Sequence, residues 1–432
     1  MKRVLIITYY WPPSGGAGVQ RWVKFVKYLP HFGWEPVVLT VDPEYATYPQ
    51  IDESLQQDIP QGTGVFRTRA FGVYSLYKKV SPNKEVPYGG FANTTKLNLK
   101  EKILRFIRGN FFLPDPRKGW NPYALKEARR IIREMGITHV ITTSPPHSTQ
   151  LIGLQLRKEF PLKWIADLRD PWTDIYYYKD LYPTSMATYF NKRWEKQVLH
   201  SADLVFTVSD SLKELFGTKT GIDSHKIRVI HNGYDPDDFI KIPGETSDSR
   251  FIISYVGTIS HSYNISGFLK ALQTIPENIK DKILLRFIGR VPAEIRAILH
   301  SALPEHQLEI MGYIPHHKAI SHMGASSALL LVIPDAENNR GIVTGKLFEY
   351  IAVRKPVLLL GPADGDAAQI IRRTERGIIC EPSDAADISK ALVELFDDSR
   401  KEISQYEGNS LSGSFSRKTL AEKVSEALNS LT

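Results

Sequence analysis

The stretch Thr344-Gly345-Lys346-Leu347-Phe348-Glu349-Tyr350-Ile351-Ala352-Val353-Arg354-Lys355-Pro356-Val357-Leu358-Leu359 carries the reading from which the rest of the chain is organised. A glycine opens a helix, a lysine lies in its first turn, a carboxylate follows three residues later on the same face, and an apolar strand begins after Pro356. This pattern suits an anionic, hydroxyl-bearing ligand. The helix amino end offers unpaired N–H groups and partial positive charge, Lys346 adds a full charge, and Glu349 can accept two hydrogen bonds from a ribose diol. A nucleotide diphosphate has all three complements. The same letters also describe an ordinary surface helix with an i,i+3 ion pair worth only about 0.2–0.5 kcal/mol. The segment alone leaves both readings open.

Working outward, short β-rich apolar runs alternate with helical spacing. Val4 to Thr8, Pro36 to Val41, His139 to Thr143, Lys163 to Asp167 and Leu204 to Val208 read as strands, with helical patterns between them. The turn dipeptide in His231-Asn232-Gly233-Tyr234 and the polar run Pro243 to Ser249 mark a boundary. Beyond it the alternation restarts, with strands at Phe251 to Val256, Ile283 to Ile288, Glu309 to Gly312, Ala328 to Ile333, Pro356 to Leu360 and Gly377 to Cys380. The expected fold class is α/β: two Rossmann-like domains, each a parallel sheet covered on both faces, facing across a cleft. The domains are expected at 1–235 and 250–412, joined by a linker over 236–249. A final helix over 413–432 has an apolar stripe able to pack back on the first domain.

At 432 residues the chain is too long for one core and suits two domains. Its hydrophobic content of 42% and charged content of 24% are those of a globular protein. The single Cys380 excludes an internal disulfide framework and a cysteine-based metal cluster, in keeping with a cytoplasmic protein. The amino-terminal apolar run ends at Tyr9-Tyr10-Trp11-Pro12-Pro13, too short for a secretion signal, and reads as a strand. No window has the length of a membrane span, so any membrane role is expected to be peripheral.

The formal charge of +8 is uneven: Arg67 to Arg130 holds fifteen Lys/Arg against four acids, interleaved with Tyr74, Tyr77, Tyr88, Phe91, Phe106, Phe111 and Phe112. That mixture suits either a solvated basic face or an anionic lipid surface at the inner face of a membrane. No nucleic-acid-binding signature accompanies it, so nucleic acid is not an expected partner.

Candidate site residues cluster after strands, where open α/β sheets bind ligands. Ser14-Gly15-Gly16-Ala17-Gly18 follows the first strand, but it is not the dinucleotide fingerprint G-x-G-x-x-G. Gly15 and Gly16 still let backbone approach a diphosphate or sugar. Ser144-Pro145-Pro146-His147, Asp167-Leu168-Arg169-Asp170-Pro171-Trp172, Gly257-Thr258, Gly289-Arg290 and Gly312-Tyr313-Ile314 are placed in the same way. Each alone is also ordinary turn chemistry.

As an ordered set, Tyr9-Tyr10-Trp11-Pro12-Pro13-Ser14-Gly15-Gly16, Ser144-Pro145-Pro146-His147, Asp167 to Trp172, Asn232-Gly233-Tyr234-Asp235, Tyr255-Val256-Gly257, Gly312-Tyr313-Ile314-Pro315 and Lys346-Leu347-Phe348-Glu349-Tyr350 resemble a bacterial family-4 glycosyltransferase. That family is retaining, uses nucleotide sugars and has the two-Rossmann GT-B fold. The resemblance covers nearly the whole chain. It implies that Glu349 binds the ribose, that Lys346 with the backbone around Thr344, Gly345 and Leu347 holds the diphosphate, and that Gly257 and Thr258 face it. It further implies Ile314 beside the base and His147 near the reacting centre as a polar partner to sugar or acceptor. The chain departs from the pattern at Gly341, where many members have a second Glu, at Thr258 and Asn264, where many have Arg and Lys, and at Gln150, where relatives often have His. Positive charge at the diphosphate then falls on Lys346, with Arg290 or Arg340, while Glu337 or the backbone from Gly341 to Val343 would meet the sugar.

The expected reaction is metal-independent transfer of a sugar from a nucleotide-diphosphate sugar, a donor substrate and not a cofactor, to a hydroxyl with retention. Asp167, Arg169, Asp170 and His147 are expected to orient acceptor or donor sugar, the alternative being that Asp167 and Asp170 form a structural pair bracketing Arg169. The expected acceptor is a glycan or polyprenyl-diphosphate glycolipid of cell-surface polysaccharide synthesis, such as lipopolysaccharide or capsule. A nucleotide-sugar-binding partner subunit without turnover and a sugar-nucleotide epimerase are the alternatives.

Overall fold

The computed structural model describes residues 1–71, 99–240, 249–401 and 404–431. Tyr74, Tyr77, Tyr88 and Phe91 of the basic segment, and most of the expected linker, lie outside the described residues. The chain divides into two units, the first comprising Met1–Asn232 with Arg417–Thr432 and the second Gly233–Ser416.

The first unit contains β1 (Lys2–Ile7), β2 (Trp34–Val41), β3 (Gly64–Thr68), β4 (His139–Ser144), β5 (Lys163–Leu168), β6 (Leu204–Thr207) and β7 (Ile227–Val229) in the order β3-β2-β1-β4-β5-β6-β7. Every pairing is parallel. The alternation of side chains along a strand sends Leu5 and Ile7 into one core with Val37 and Leu39, and Val4 and Ile6 into another with Trp22 and Val38. A strand buried on both faces has to be apolar throughout, which is what Val4-Leu5-Ile6-Ile7 supplies. The second core is completed by the last helix, Arg417–Asn429, whose Leu420, Ala421, Val424 and Leu428 join Val23 and Val26 of the Ala17–Tyr28 helix. Arg417 anchors it through the Asn232 carbonyl at 3.2 Å.

The second unit repeats the plan with β8 (Phe251–Val256), β9 (Ile283–Ile288), β10 (Leu308–Met311), β11 (Ala328–Val332), β12 (Val357–Leu360) and β13 (Gly377–Cys380), ordered β10-β9-β8-β11-β12-β13 and again wholly parallel. Leu330 and Val332 enter one core, Leu329 and Leu331 the other.

In each unit the winding reverses once, between β1 and β4 and between β8 and β11. Those two switch points, at the carboxyl ends of the strands, are where this class of sheet leaves room for a ligand. β3 and β7, which the sequence pattern did not mark, are the two edge strands of the first sheet. No helix among the described residues is long and apolar enough to cross a membrane.

Candidate anion-binding site

At the second switch point β8 ends in Gly257, at φ 115°, a backbone state that L side chains rarely adopt. A Cβ there would stand 2.5 Å from Lys346 Cε, and one at Gly289 (φ 126°) would stand 2.5 Å from the Gly257 carbonyl oxygen. The ends of β8 and β9 therefore meet as bare backbone, with the Lys346 side chain laid across Gly257.

Lys346 Nζ donates to the Tyr255 hydroxyl at 2.6 Å and stands 4.2 Å from the Tyr255 ring centroid and 5.8 Å from that of Tyr263. Tyr255 in turn donates to the Thr258 carbonyl at 2.9 Å. Desolvation among these rings pulls the ammonium down to about 7, with Glu349 opposing the shift. An anion placed here would restore the charge.

Lys346 belongs to the Gly345–Ala352 helix, fixed by Leu347, Phe348, Tyr350 and Ile351 in the core. Tyr350 OH accepts from the Val256 N–H at 3.0 Å, which ties this helix to the end of β8. Thr344 occupies the capping position in an extended conformation, yet its side chain does not cap, and its hydroxyl is buried without a partner. No side chain among the described residues accepts from the amides of Gly345 or Lys346. The amino end is thus open in the sense that matters for an anion.

One turn on, Glu349 Oε1 lies 3.0 Å from His316 Nε2. His316 begins the His316–Gly324 helix directly after Ile314 and Pro315, and Ile314 packs on the core that holds Leu347. Thr258 and Arg290 are exposed, and the Arg290 carbonyl accepts from Ile259 N–H at 3.1 Å. Gly341 is buried at the end of the turn Asn339–Gly341, and Glu337 is exposed in the loop before it. Arg340 pairs with the exposed Asp364 at 2.7 Å, so its charge is already engaged at the surface.

The first unit gathers its own group. Gly16, at φ 105°, starts the Ala17–Tyr28 helix without a side-chain cap, and Gly15 N–H donates to the Gln50 carbonyl at 2.9 Å. Arg169 lies against Gly18, where a Cβ would fall 2.0 Å from Nη1, and its Nε donates to the Ser144 carbonyl at 3.1 Å. His147 stacks on Trp172 with centroids 4.9 Å apart and an interplanar angle of 11°. Burial, helped by Arg169, pushes its imidazole down to about 3, so it is neutral in any physiological buffer. Its Nδ1 is buried without a partner. Asp170 is half-buried, and burial raises its carboxyl pKa against the pull of Arg169.

Of the two parts open to Asp167 from the sequence, orienting a substrate or serving as a structural carboxylate, its surroundings fit the structural one. It is fully buried, with Oδ1 accepting from Arg21 at 3.1 Å and Oδ2 from Trp22 Nε1 at 2.7 Å and Thr143 at 2.8 Å. Both oxygens are committed, and its charged partner is Arg21 instead of Arg169. Gln150 is likewise structural, donating to the Asp167 carbonyl at 2.9 Å and accepting from Thr142 at 2.6 Å. The Ser148–Glu159 helix, which follows β4, has its amino end occupied by the chain itself: Asp115 accepts from Ser148 N–H at 2.7 Å and from its hydroxyl at 2.9 Å. Asp115 carries no signal in sequence, being 33 residues from its partner. His316 carries a weak one, a polar residue just after a helix-starting proline.

Two family models divide the chain between them. Glycosyltransferase Family 4 matches residues 88–238, and Glycosyl transferases group 1 matches residues 237–409. The chain belongs to the family-4-type glycosyltransferases. Among curated proteins, an uncharacterized glycosyltransferase of Methanocaldococcus jannaschii is 24% identical to this family member over 205 residues. That match takes in 45% of this chain and 51% of the relative, so the chain spans about half the length of the curated relative it matches. A glycosyltransferase from Rickettsia africae superposes with a TM-score of 0.65 at 14% identity, covering 100% of this chain and 98% of that one. Anabaena HepE, solved in complex with UDP, gives 0.62 at 14% identity and covers 100% of both chains. These structural likenesses establish the two-domain α/β fold of GT-B glycosyltransferases.

Proposed function

We propose that this family-4-type chain is a retaining glycosyltransferase that moves a sugar from a nucleotide-diphosphate sugar to a hydroxyl without a metal ion. The observation that carries the reading is the open amino end of the Gly345–Ala352 helix, with Lys346 and Glu349 on its first turns beside the bare backbone of Gly257. UDP and UDP-glucose in the HepE complexes support a nucleotide-sugar donor. Lys346 and the amides of Gly345 and Lys346 would hold the diphosphate, with Gly257 and Thr258 facing it and Arg290 nearby in the same loop cluster; the Leu347 amide instead donates to the Thr344 carbonyl at 3.2 Å. Glu349 accepts from the ribose, and Ile314 packs beside the base.

In the reaction the bond from the anomeric carbon to the phosphate oxygen breaks, and the acceptor oxygen bonds to that carbon on the same face. The acceptor proton passes to the departing phosphate. Developing negative charge on that phosphate is met by a recharged Lys346 and by fixed N–H dipoles, which supply what a metal would otherwise supply. Arg169 and Asp170, with the neutral His147, are assigned to the sugar or acceptor, alongside Gly15 and Gly16; Gly341 and its neighbours offer backbone to the transferred sugar. The proposed acceptor is a lipid-linked glycan in cell-surface polysaccharide synthesis at the cytoplasmic face of a membrane.

A panel of nucleotide sugars, scored for binding, hydrolysis and transfer to lipid-linked and free acceptors, tests this reading. Turnover with one donor and loss of donor affinity in Lys346→Ala and Glu349→Ala are expected. Full affinity in both variants would remove the site assignment. Tight binding with no turnover on any acceptor would instead select the non-catalytic binder, the reading that Gly341 and Thr258 favour where charged side chains are usual.

A further inference from the structure

The segment after β5, Asp170-Pro171-Trp172-Thr173-Asp174, is gripped by two neighbouring side chains of one helix. Asn191 and Glu195 stand four residues apart on the Ser185–Ser201 helix, so they project from the same face, and both are buried. Asn191 takes Trp172. Its Oδ1 accepts from the indole Nε1 at 3.0 Å, while its Nδ2 donates to the Ala187 carbonyl at 3.1 Å, which fixes which way round the amide lies. Glu195 takes the next residue, with Oε2 accepting from the Thr173 hydroxyl at 2.8 Å and from Lys219 Nζ at 2.6 Å. Lys219, on the Asp210–Thr220 helix, pairs with Asp174 as well.

This grip gains the fold little. Glu195 is fully buried, and its Oε1 is buried with no partner. Burial raises its carboxyl pKa against the pull of Lys219. A buried ion pair adds little stability over packed apolar side chains, because desolvation of both charges offsets their attraction. What directed hydrogen bonds do add is a single placement of the Trp172 ring.

That ring is the one on which His147 lies, with centroids 4.9 Å apart and planes 11° from parallel. The imidazole comes from a different element, the turn after β4, and its Nδ1 is buried without a partner. No hydrogen bond at Nδ1 orients it, so the stack on Trp172 does. An orphaned acceptor is tolerated better than an orphaned N–H, which assigns the proton to Nε2. The imidazole then offers a donor to an incoming oxygen.

We propose that Asn191 and Glu195 are positioning residues for His147: acting through Trp172 and Thr173, they set the indole on which the imidazole lies and so fix the direction of its Nε2–H. The inference rests on the assignment of His147 to the sugar or acceptor, and its first test reads the imidazole without any substrate. Packed as it is, His147 is held down to about 3 by burial, with Arg169 the charged group acting on it and Asp115 on the neighbouring Ser148 amide. A ring released from the indole regains water and moves back toward the ordinary histidine value of about 6.5.

The test is an NMR pH titration of the His147 imidazole in the full-length chain, with the signal assigned by its loss in His147→Gln. The parent signal should stay flat from about pH 5 to about pH 8, the range in which an ordinary histidine titrates. Asn191→Ala should make it titrate with a midpoint above about pH 5, and Glu195→Ala should do the same. Glu195→Gln, which keeps an acceptor for Thr173, should restore the flat profile. Trp172→Phe keeps a ring for His147 but has no N–H to tether, so it should match Asn191→Ala, and the double variant should shift no further than either alone. In the transfer assay Asn191→Ala should lower kcat roughly 10- to 100-fold, the cost of a misplaced group at the reacting centre. Its affinity for UDP, whose site is assigned to the second unit, should stay within about twofold of the parent. A flat titration in Asn191→Ala and Trp172→Phe, an additive double variant, or a released titration with unchanged kcat would each overturn the proposal. A parent that turns over no donor would sink the transferase reading, and the titration would still decide whether Asn191 and Glu195 hold the imidazole.

Discussion

The Ser148–Glu159 helix of the first unit and the Gly345–Ala352 helix of the second hold equivalent places. Each follows the strand just past the switch point, β4 beside β1 and β11 beside β8. Each offers the same amino-terminal seat for an anion. In the first unit Asp115 sits in it, bonded to the Ser148 amide and hydroxyl. In the second no side chain among the described residues does: Thr344 fails to cap, and Lys346 stands alongside, its ammonium pulled down to about 7 by burial. The fold provides the seat twice, and side chains from elsewhere decide which copy is available to a ligand.

The contrast breaks most visibly at Asp167. Removing it by Asp167→Ala leaves Arg21 buried with no counter-charge and strips partners from Trp22 and Thr143. A loss of about 3–5 kcal/mol is expected, read from urea unfolding of the first unit. A loss below about 1 kcal/mol would mean that the carboxylate is not structural after all.

Lys346→Ala is the mirror experiment in the second unit. It should weaken nucleotide-diphosphate binding by roughly 10- to 100-fold, the range for a hydrogen bond to a charged group, while leaving the protein folded. Lys346→Met, which removes the ammonium but retains the packing, should raise the melting temperature at neutral pH. The sign follows from the depressed pKa. From about 7 up to the usual lysine value the unfolded chain holds a proton that the folded chain has released. The burial penalty is therefore fully present below pH 7 and is relieved as pH rises. Ligand binding runs the opposite way. Below pH 7 the lysine is already charged, whereas above it each bound diphosphate must draw a proton, so affinity should fall by up to about tenfold per pH unit. Calorimetry in buffers of different ionisation enthalpy reads that uptake directly, and Lys346→Arg should abolish the pH dependence. A flat profile in the parent would show that Lys346 does not face the anion.

Asp115→Ala asks whether the first seat is closed only by its own chain. It should destabilise the first unit by about 0.5–2 kcal/mol, as loss of a helix cap does. Added phosphate should then restore part of the melting temperature by binding the vacated amides, and no such recovery should occur in the parent.

How much of this could be read in advance follows from the range of each signal. The central strands are buried on both faces, so their apolar runs are unbroken and announced themselves, as at Val4 to Ile7 and Leu329 to Val332. β3 and β7 sit at sheet edges, where Arg67 and Arg228 can reach solvent and the apolar run is interrupted. Gly345, Lys346 and Glu349 were legible because a helix start, a first-turn lysine and an i,i+3 carboxylate are local facts. The roles of Asp167, Asp115 and Arg21 were not, since their partners lie tens to hundreds of residues away. Hydrophobic periodicity was present in Leu99 to Phe111, but periodicity alone does not say which way the stripe points. That was decided by Gly109 and Asn110 against residues 181–184.

The smallest effect concerns His316, which supports Glu349 within the open site. Glu349 has two oxygens, and the imidazole holds Oε1 at 3.0 Å. That leaves Oε2 and a remaining lone pair for the two hydroxyls of a ribose, with the carboxylate already in place. Without the imidazole, Glu349 samples other rotamers and must be ordered by the ligand, a penalty of about 0.5–1.5 kcal/mol. His316→Ala should therefore weaken a nucleoside diphosphate by roughly two- to tenfold. His316→Asn, which can still donate to the carboxylate, should recover part of this. Inorganic pyrophosphate, which has no ribose, should bind the variant as it binds the parent. Equal weakening of both ligands would place His316 with the anion seat instead of with Glu349, and the assignment of the ribose to Glu349 would lose its structural support.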